Sequence, residues 1–275
     1  MNKIKKIKNI RVIDDEYVEK EEKDLIELYN YLKSRDFNYF PNIVERNDKI
    51  TRYEFIEDYS ISDDQKALDL IDTLALLHNK TSFNKEVSID KNKEIYEQLK
   101  GYRKYLNQKY ETTLEEIEYI EYPSPSNQLF LQNYSKLYAC LEFIDKEIDE
   151  WYRLIENDNK ERVSMTHGNP GLDHIIKNDR TYLISWNNAK IESPIIDLVT
   201  LYHNVWNRVE FSSLLNRYLE RCELSNNELK LLLINLSFPI NIDDKDTELE
   251  NTIEMDKFIN YLYKTEKLIR PYYSK

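Results

Sequence analysis

The residues best suited to chemistry crowd into one stretch, VSMTHGNPGLDHIIKNDRTYLISWNNAKIESPIIDLV, residues 163–199. It holds two of the four histidines and two of the three glycines in the chain. His167 beside Gly168 suits either a proton-handling loop or a buried, hydrogen-bonded histidine, and the second is the plainer reading. Asp173 and His174 are adjacent donors, and with Glu192 they are the groups from which a divalent-cation site would be assembled. On a strand, neighbouring side chains point to opposite faces, which argues against chelation by that pair. Neither Cys-x-x-Cys nor His-Glu-x-x-His occurs, so there is no zinc pattern.

The elements that must position this stretch are read from periodicity. Residues 9–22 alternate as a strand pair about the polar turn Asp14-Asp15-Glu16, and residues 23–35 switch to helical spacing with Leu25, Leu28, Tyr29 and Leu32 on one face. Ile43-Val44 and Tyr53 to Ile56 read as two further strands around Arg46 to Lys49. Ser62 with Gln65 three residues on is a capping-box signature for a helix carrying Ala67, Leu70, Ile71, Leu74 and Leu77 and ending near His78. A histidine there has a plain reading, as a cation favoured at a helix C-terminus. Two long helices, 91–110 and 127–157, follow, separated by Pro123 and Pro125, which favour an extended linker. Val163 to Thr166, Ile175-Ile176 and Tyr182 to Ile184 look like short strands, and helices resume at 195–207, 209–222, 226–236 and 247–268. The many tyrosines recur at core and boundary spacing rather than as a base-stacking platform.

Composition removes several function classes. The chain has 275 residues, 41% hydrophobic, enough for a core. With 3 glycines in all, a phosphate-cradling loop of several glycines is excluded in its usual form. A formal charge of -12 makes nucleic acid and anionic membranes poor partners. The basic start, with Lys3, Lys5, Lys6, Lys8 and Arg11, is followed by Asp14, Asp15 and Glu16 where a signal peptide needs an apolar run. A soluble, cytoplasmic protein is therefore expected. Cys140 and Cys222, far apart in apolar helical surroundings, read as two free thiols rather than a disulfide.

The 163–198 stretch resembles the catalytic section of the aminoglycoside phosphotransferase and choline kinase superfamily, including its spore-coat kinase-like branch. There, a His-Gly-Asp-x-x-x-x-Asn loop precedes Ile-Asp-Trp/Phe and a Pro-x-x-Asp-Leu helix start. His167-Gly168, Trp186, and Pro194 through Asp197-Leu198 match. Upstream, Leu74-Ala75-Leu76-Leu77-His78 resembles the family's Leu-Ala-x-Leu-His helix, and Phe40-Pro41 with Ile43-Val44 resembles its segment after the first helix. The resemblance implies an α+β, protein-kinase-like two-lobed fold, with a small β-rich N-terminal lobe at residues 1–60 and a mainly helical C-terminal lobe at 61–275. It also implies that His167 and Asp197 brace the loop, and that Lys20, paired with Glu27, is the nucleotide-binding lysine. The acidic surroundings of Lys20 also allow a solvated strand end.

The departures bear on activity. The catalytic-loop Asp falls at Asn169, the metal-binding Asn at His174, and the magnesium-holding Asp at Ser185. An amide is no base, and a hydroxyl lacks the charge to hold a hard cation, whereas phosphoryl transfer is positioning and electrostatics around metal and base. The expectation is a catalytically inactive, pseudokinase-like binding module with no cofactor, whose partner is an unknown protein or small molecule. Two alternatives stand: an active small-molecule phosphotransferase using ATP and magnesium at a site rearranged around Asp173, Glu192 or Asp197, and a structural component of an assembly such as a spore coat.

Overall fold

The computed structural model describes residues 4–7 and 10–273, with side chains from Ile10 onward. Lys3, Lys8 and Asn9, which belong to the basic start and the first expected strand, lie outside the described residues. The chain packs as two compact units, Met1–Lys85 with Arg162–Glu223, and Glu86–Glu161 with Leu224–Lys275.

The first unit opens with a five-stranded antiparallel sheet built from β1 (Ile4–Ile7), β2 (Ile10–Ile13), β3 (Tyr17–Glu21), β4 (Ile43–Asn47) and β5 (Ile50–Glu54), in the order β1-β2-β3-β5-β4. The turn from β2 to β3 closes with the Glu16 amide donating to the Ile13 carbonyl at 3.0 Å. Asp14 and Asp15 both take left-handed backbone there, at φ 54° and 55°. Aspartate tolerates that conformation better than most residues, and turns left-handed at both central positions match strand twist. β1 was not expected, because a four-residue strand in a lysine-rich run carries little periodic signal.

Between β3 and β4, α1 (Ile26–Ser34) turns Tyr29 and Leu32 inward. α2 (Asp63–Thr81) then buries Ala67, Leu70, Ile71, Leu74 and Leu77. The Ser62 hydroxyl accepts from the Gln65 amide at 3.3 Å, as the capping signature predicts. The reciprocal half is absent: the Gln65 side chain donates instead to Asp69 at 2.7 Å. The unit is completed by the β6 strand (Phe83–Glu86), β7 (Lys160–Thr166), the hairpin of β8 (Ile175–Lys177) and β9 (Thr181–Leu183), β10 (Lys190–Glu192), and two helices, α5 (Ile195–Val205) and α6 (Phe211–Arg221). β10 pairs antiparallel with β7, Glu192 opposite Ser164.

The second unit is helical. α3 (Ile89–Glu118), α4 (Pro125–Ile155), α7 (Asn226–Ser237) and α8 (Glu248–Ile269) enclose a core that includes Leu106, Phe130, Leu141, Ile148 and Phe258. Pro125 is part of α4 rather than of an extended linker: it occupies the first turn, behind Ser124, whose hydroxyl accepts from Asn127. Proline suits that position because its missing N–H would have no helical partner there. α7 and α8 begin with complete capping boxes, Ser225 with Glu228 and Thr247 with Glu250. Cys140 and Cys222 are free thiols. Among the described residues, no helix is long and apolar enough to cross a membrane.

The half-formed box at α2 separates two side chains that sequence alone treats as one motif. Ser62→Ala should cost about 1 kcal/mol of unfolding free energy. Gln65→Ala, losing only an exposed contact, should change it by less than about 0.5 kcal/mol. Denaturant unfolding of both variants checks the difference.

Candidate functional site

The first unit is organised around one buried carboxylate. Asp197, in the first turn of α5, is fully buried. Its Oδ2 accepts from the His167 amide at 2.7 Å and its Oδ1 from the Gly168 amide at 2.8 Å. Oδ2 also faces His78 Nε2 at 3.1 Å, while His78 Nδ1 faces the Tyr218 hydroxyl at 2.7 Å. A carboxylate only accepts, so Nε2 carries the imidazole proton and Nδ1 accepts from Tyr218. Burial raises the Tyr218 phenol well above its ordinary range, which keeps it a donor. His78 lies in the last turn of α2, as the sequence places it, but it is fully buried and links α2 to α5 and α6.

From this anchor the loop after β7 is fixed residue by residue. The His167 ring donates through Nε2 to the Ile184 carbonyl at 2.8 Å and stands edge-on to Trp186 at 4.9 Å. Its Nδ1 is buried without a hydrogen-bond partner, and burial lowers its pKa, so the ring is neutral. Gly168 has φ +78°, and a Cβ there would meet the Asn188 carbonyl oxygen at 2.2 Å. Trp186, itself fully buried, donates to the Leu183 carbonyl at 2.9 Å and packs edge-on against Phe37 and Phe40.

Within that frame lie the three positions where chemistry was sought. Asn169 is half-buried, and its carbonyl accepts from His174 Nδ1 at 2.7 Å. The His174 ring is 6.0 Å from that of His167. Ser185 takes left-handed backbone, φ 68° and ψ 48°. Asp, Asn and Gly occupy that region most readily, and serine is a less common occupant.

The carboxylates near the loop have other surroundings. Asp173 is exposed, and it lies with His174 in a short 3₁₀ turn, Leu172–His174, not on a strand as expected. Glu192 accepts from the Thr166 hydroxyl at 3.1 Å and pairs with Lys190 at 2.8 Å. Asp197 already holds three groups. Among the described residues, no three His, Cys, Asp or Glu side chains gather as a metal site.

Beside Ser185 opens a cleft of about 180 Å³, lined by Val18, Lys20, Glu22, Tyr53, Ile184 and Ser185 among others. Here the expected Lys20–Glu27 pair is corrected. Lys20 pairs with Glu22 at 3.0 Å, while Glu27 is exposed on α1. The Glu22 side chain is only 2% exposed and also accepts from the Tyr53 hydroxyl. Burial pushes the Tyr53 and Tyr29 phenols up, so both stay protonated. Sequence reading missed Glu22 because it is one of five acidic residues in a short run. Glu22 lies one residue past the end of β3, two along from Lys20, so extended spacing was the one local signal.

No protein-family model matches the chain. Nor does any curated protein match its sequence. Solved structures do. An aminoglycoside phosphotransferase from Alicyclobacillus acidocaldarius superposes with a TM-score of 0.68 at 12% identity, covering 98% of this chain and 90% of its own. An AMP-bound complex of spectinomycin phosphotransferase gives 0.50 at 13% identity, covering 95% and 86%. A choline kinase from Streptococcus pneumoniae gives 0.44 at 16% identity, covering 98% and 89%. The chain therefore has the α+β kinase-like fold of the aminoglycoside phosphotransferases.

Gly168 tests this geometry. Gly168→Ala combines a left-handed backbone with a backbone clash and should cost roughly 2–5 kcal/mol. Gly101→Ala, with nothing within 4 Å of the added carbon, should not destabilise. Urea unfolding of the pair gives the comparison.

Proposed function

We propose that this protein is a non-catalytic member of the kinase-fold proteins, a degenerate relative of the aminoglycoside phosphotransferase and choline kinase-like superfamily that binds without transferring phosphate. One observation carries the reading. The loop keeps its internal supports, while no carboxylate stands at 169 or 185 and the neighbouring candidates are exposed or already engaged. Phosphoryl transfer needs metal ions bridging the phosphates and a group orienting the nucleophile, and neutral amide and hydroxyl groups supply neither.

The cleft beside Ser185 suits a binding role. Apolar walls with one buried ion pair, Lys20–Glu22, are the make-up of a small-molecule site: apolar area for affinity, a few polar groups for orientation. The net charge of -12 favours a protein or small-molecule partner over nucleic acid or an anionic membrane, in a cytoplasmic setting.

Thermal melting with ATP, with magnesium, and with both separates this reading from an active phosphotransferase. A magnesium–nucleotide site held at a hundredfold excess over its Kd would add about 2.7 kcal/mol, several degrees in Tm. The proposal expects no rise with both together beyond that given by ATP alone. A metal-dependent rise of several degrees would overturn it.

A further inference from the structure

The net charge is not spread evenly over the chain. Residues 109–128 and 241–257 hold twelve carboxylates against three lysines, a net -9, which leaves -3 for the other 238 residues. The three cations are Lys109, Lys245 and Lys257. Both stretches belong to the helical unit, and the fold brings them to one end of it. Glu248 Oε1, in the first turn of α8, accepts from the Ser126 amide in the first turn of α4 at 2.8 Å. Behind that contact the Tyr110 ring of α3 packs against Phe130 of α4 and Phe258 of α8, at 6.4 and 5.9 Å. The α3–α4 turn and the start of α8 are therefore neighbours.

Apolar side chains stand out from the same end. Tyr119 is 90% exposed, Tyr122 84% and Leu249 72%, and Ile120 and Ile253 are exposed beside them. Pro123 stiffens the turn that carries the two tyrosines. Single exposed apolar residues need no explanation, but five at one end, ringed by charge, have the make-up of an interaction surface. That charge is free to act outward. Glu111, Glu115, Glu116, Glu118 and Glu121 are exposed, and among the described residues none of the five pairs with a cation. Of the lysines, Lys257 is held by Glu254 at 2.7 Å.

We infer that this end of the helical unit docks a basic amphipathic segment of another protein, its apolar side chains against Tyr119, Tyr122 and Leu249 and its Lys or Arg groups over the surrounding carboxylates. Charge decides the class of partner. The field that attracts a cationic segment repels acidic peptides, nucleic acid and anionic lipid. The tyrosines add to the preference, because a cation is attracted to the face of an aromatic ring. The surface lies apart from the kinase-like loop and does not depend on the reading given for it.

Fluorescence anisotropy of a labelled lysine–leucine amphipathic peptide, titrated with the full chain, tests this. A lysine–serine peptide of equal length and charge is the match without apolar groups. The first peptide should bind saturably, one to one, and the second roughly tenfold more weakly. The double variant Tyr119→Ser, Tyr122→Ser changes only exposed positions, so it should melt as the wild type does and bind the first peptide roughly tenfold more weakly. Glu115→Lys with Glu118→Lys should weaken binding severalfold more than the same charge change at Glu57 and Glu220, exposed in the first unit. Equal binding of the two peptides, equal losses in the two charge-reversed variants, or wild-type affinity in the tyrosine variant would each overturn the inference. So would sedimentation showing that the chain alone self-associates and that the tyrosine variant does not, since a second copy would then be the occupant.

Discussion

The Asp197 carboxylate is the interaction on which the first unit depends. An ionised carboxylate removed from water is costly unless hydrogen bonds replace its hydration. Here two backbone amides and an imidazole do so, at 2.7, 2.8 and 3.1 Å. The donors come from different parts of the chain: His78 from α2, His167 and Gly168 from the loop after β7. One side chain thus fixes the register of three segments, and Tyr218 extends the chain of bonds to α6. Removing it would strand a buried imidazole N–H and two amides together.

That dependence gives a physical account of the mixture in the loop. Groups that support the backbone have partners that leave no slack: Gly168 lies against the Asn188 carbonyl, His167 against Ile184 and Trp186. Asn169 and Ser185, by contrast, are only half-buried. The left-handed backbone at Ser185 follows from the frame around it, since Trp186 is locked by the Leu183 carbonyl and by Phe37 and Phe40.

Much of this was legible in the sequence, for reasons that differ by element. The helices declared themselves through apolar spacing, and the α2 start through its capping serine. The β2–β3 and β4–β5 hairpins showed as alternation around polar turns. β6 and β10 did not, because they are short and largely exposed, so no alternation marks them. At the site, His167, Asn169, His174, Ser185 and Asp197 were picked out by order along the chain. His78 was placed on the right helix but given the wrong environment, because burial against Asp197 is a contact across 119 positions. Glu22 was hidden for the opposite reason: too many acidic neighbours, and nothing local to say which one turns inward.

The central claim is that the loop keeps its form without a metal-holding site, and manganese binding reports on it most directly. Electron paramagnetic resonance can follow free Mn²⁺ in the presence of ATP as the protein is added. The account predicts that the protein removes no more Mn²⁺ from solution than ATP does alone. Saturable, protein-dependent uptake of Mn²⁺ that is lost in Glu192→Gln or Asp173→Asn would contradict it.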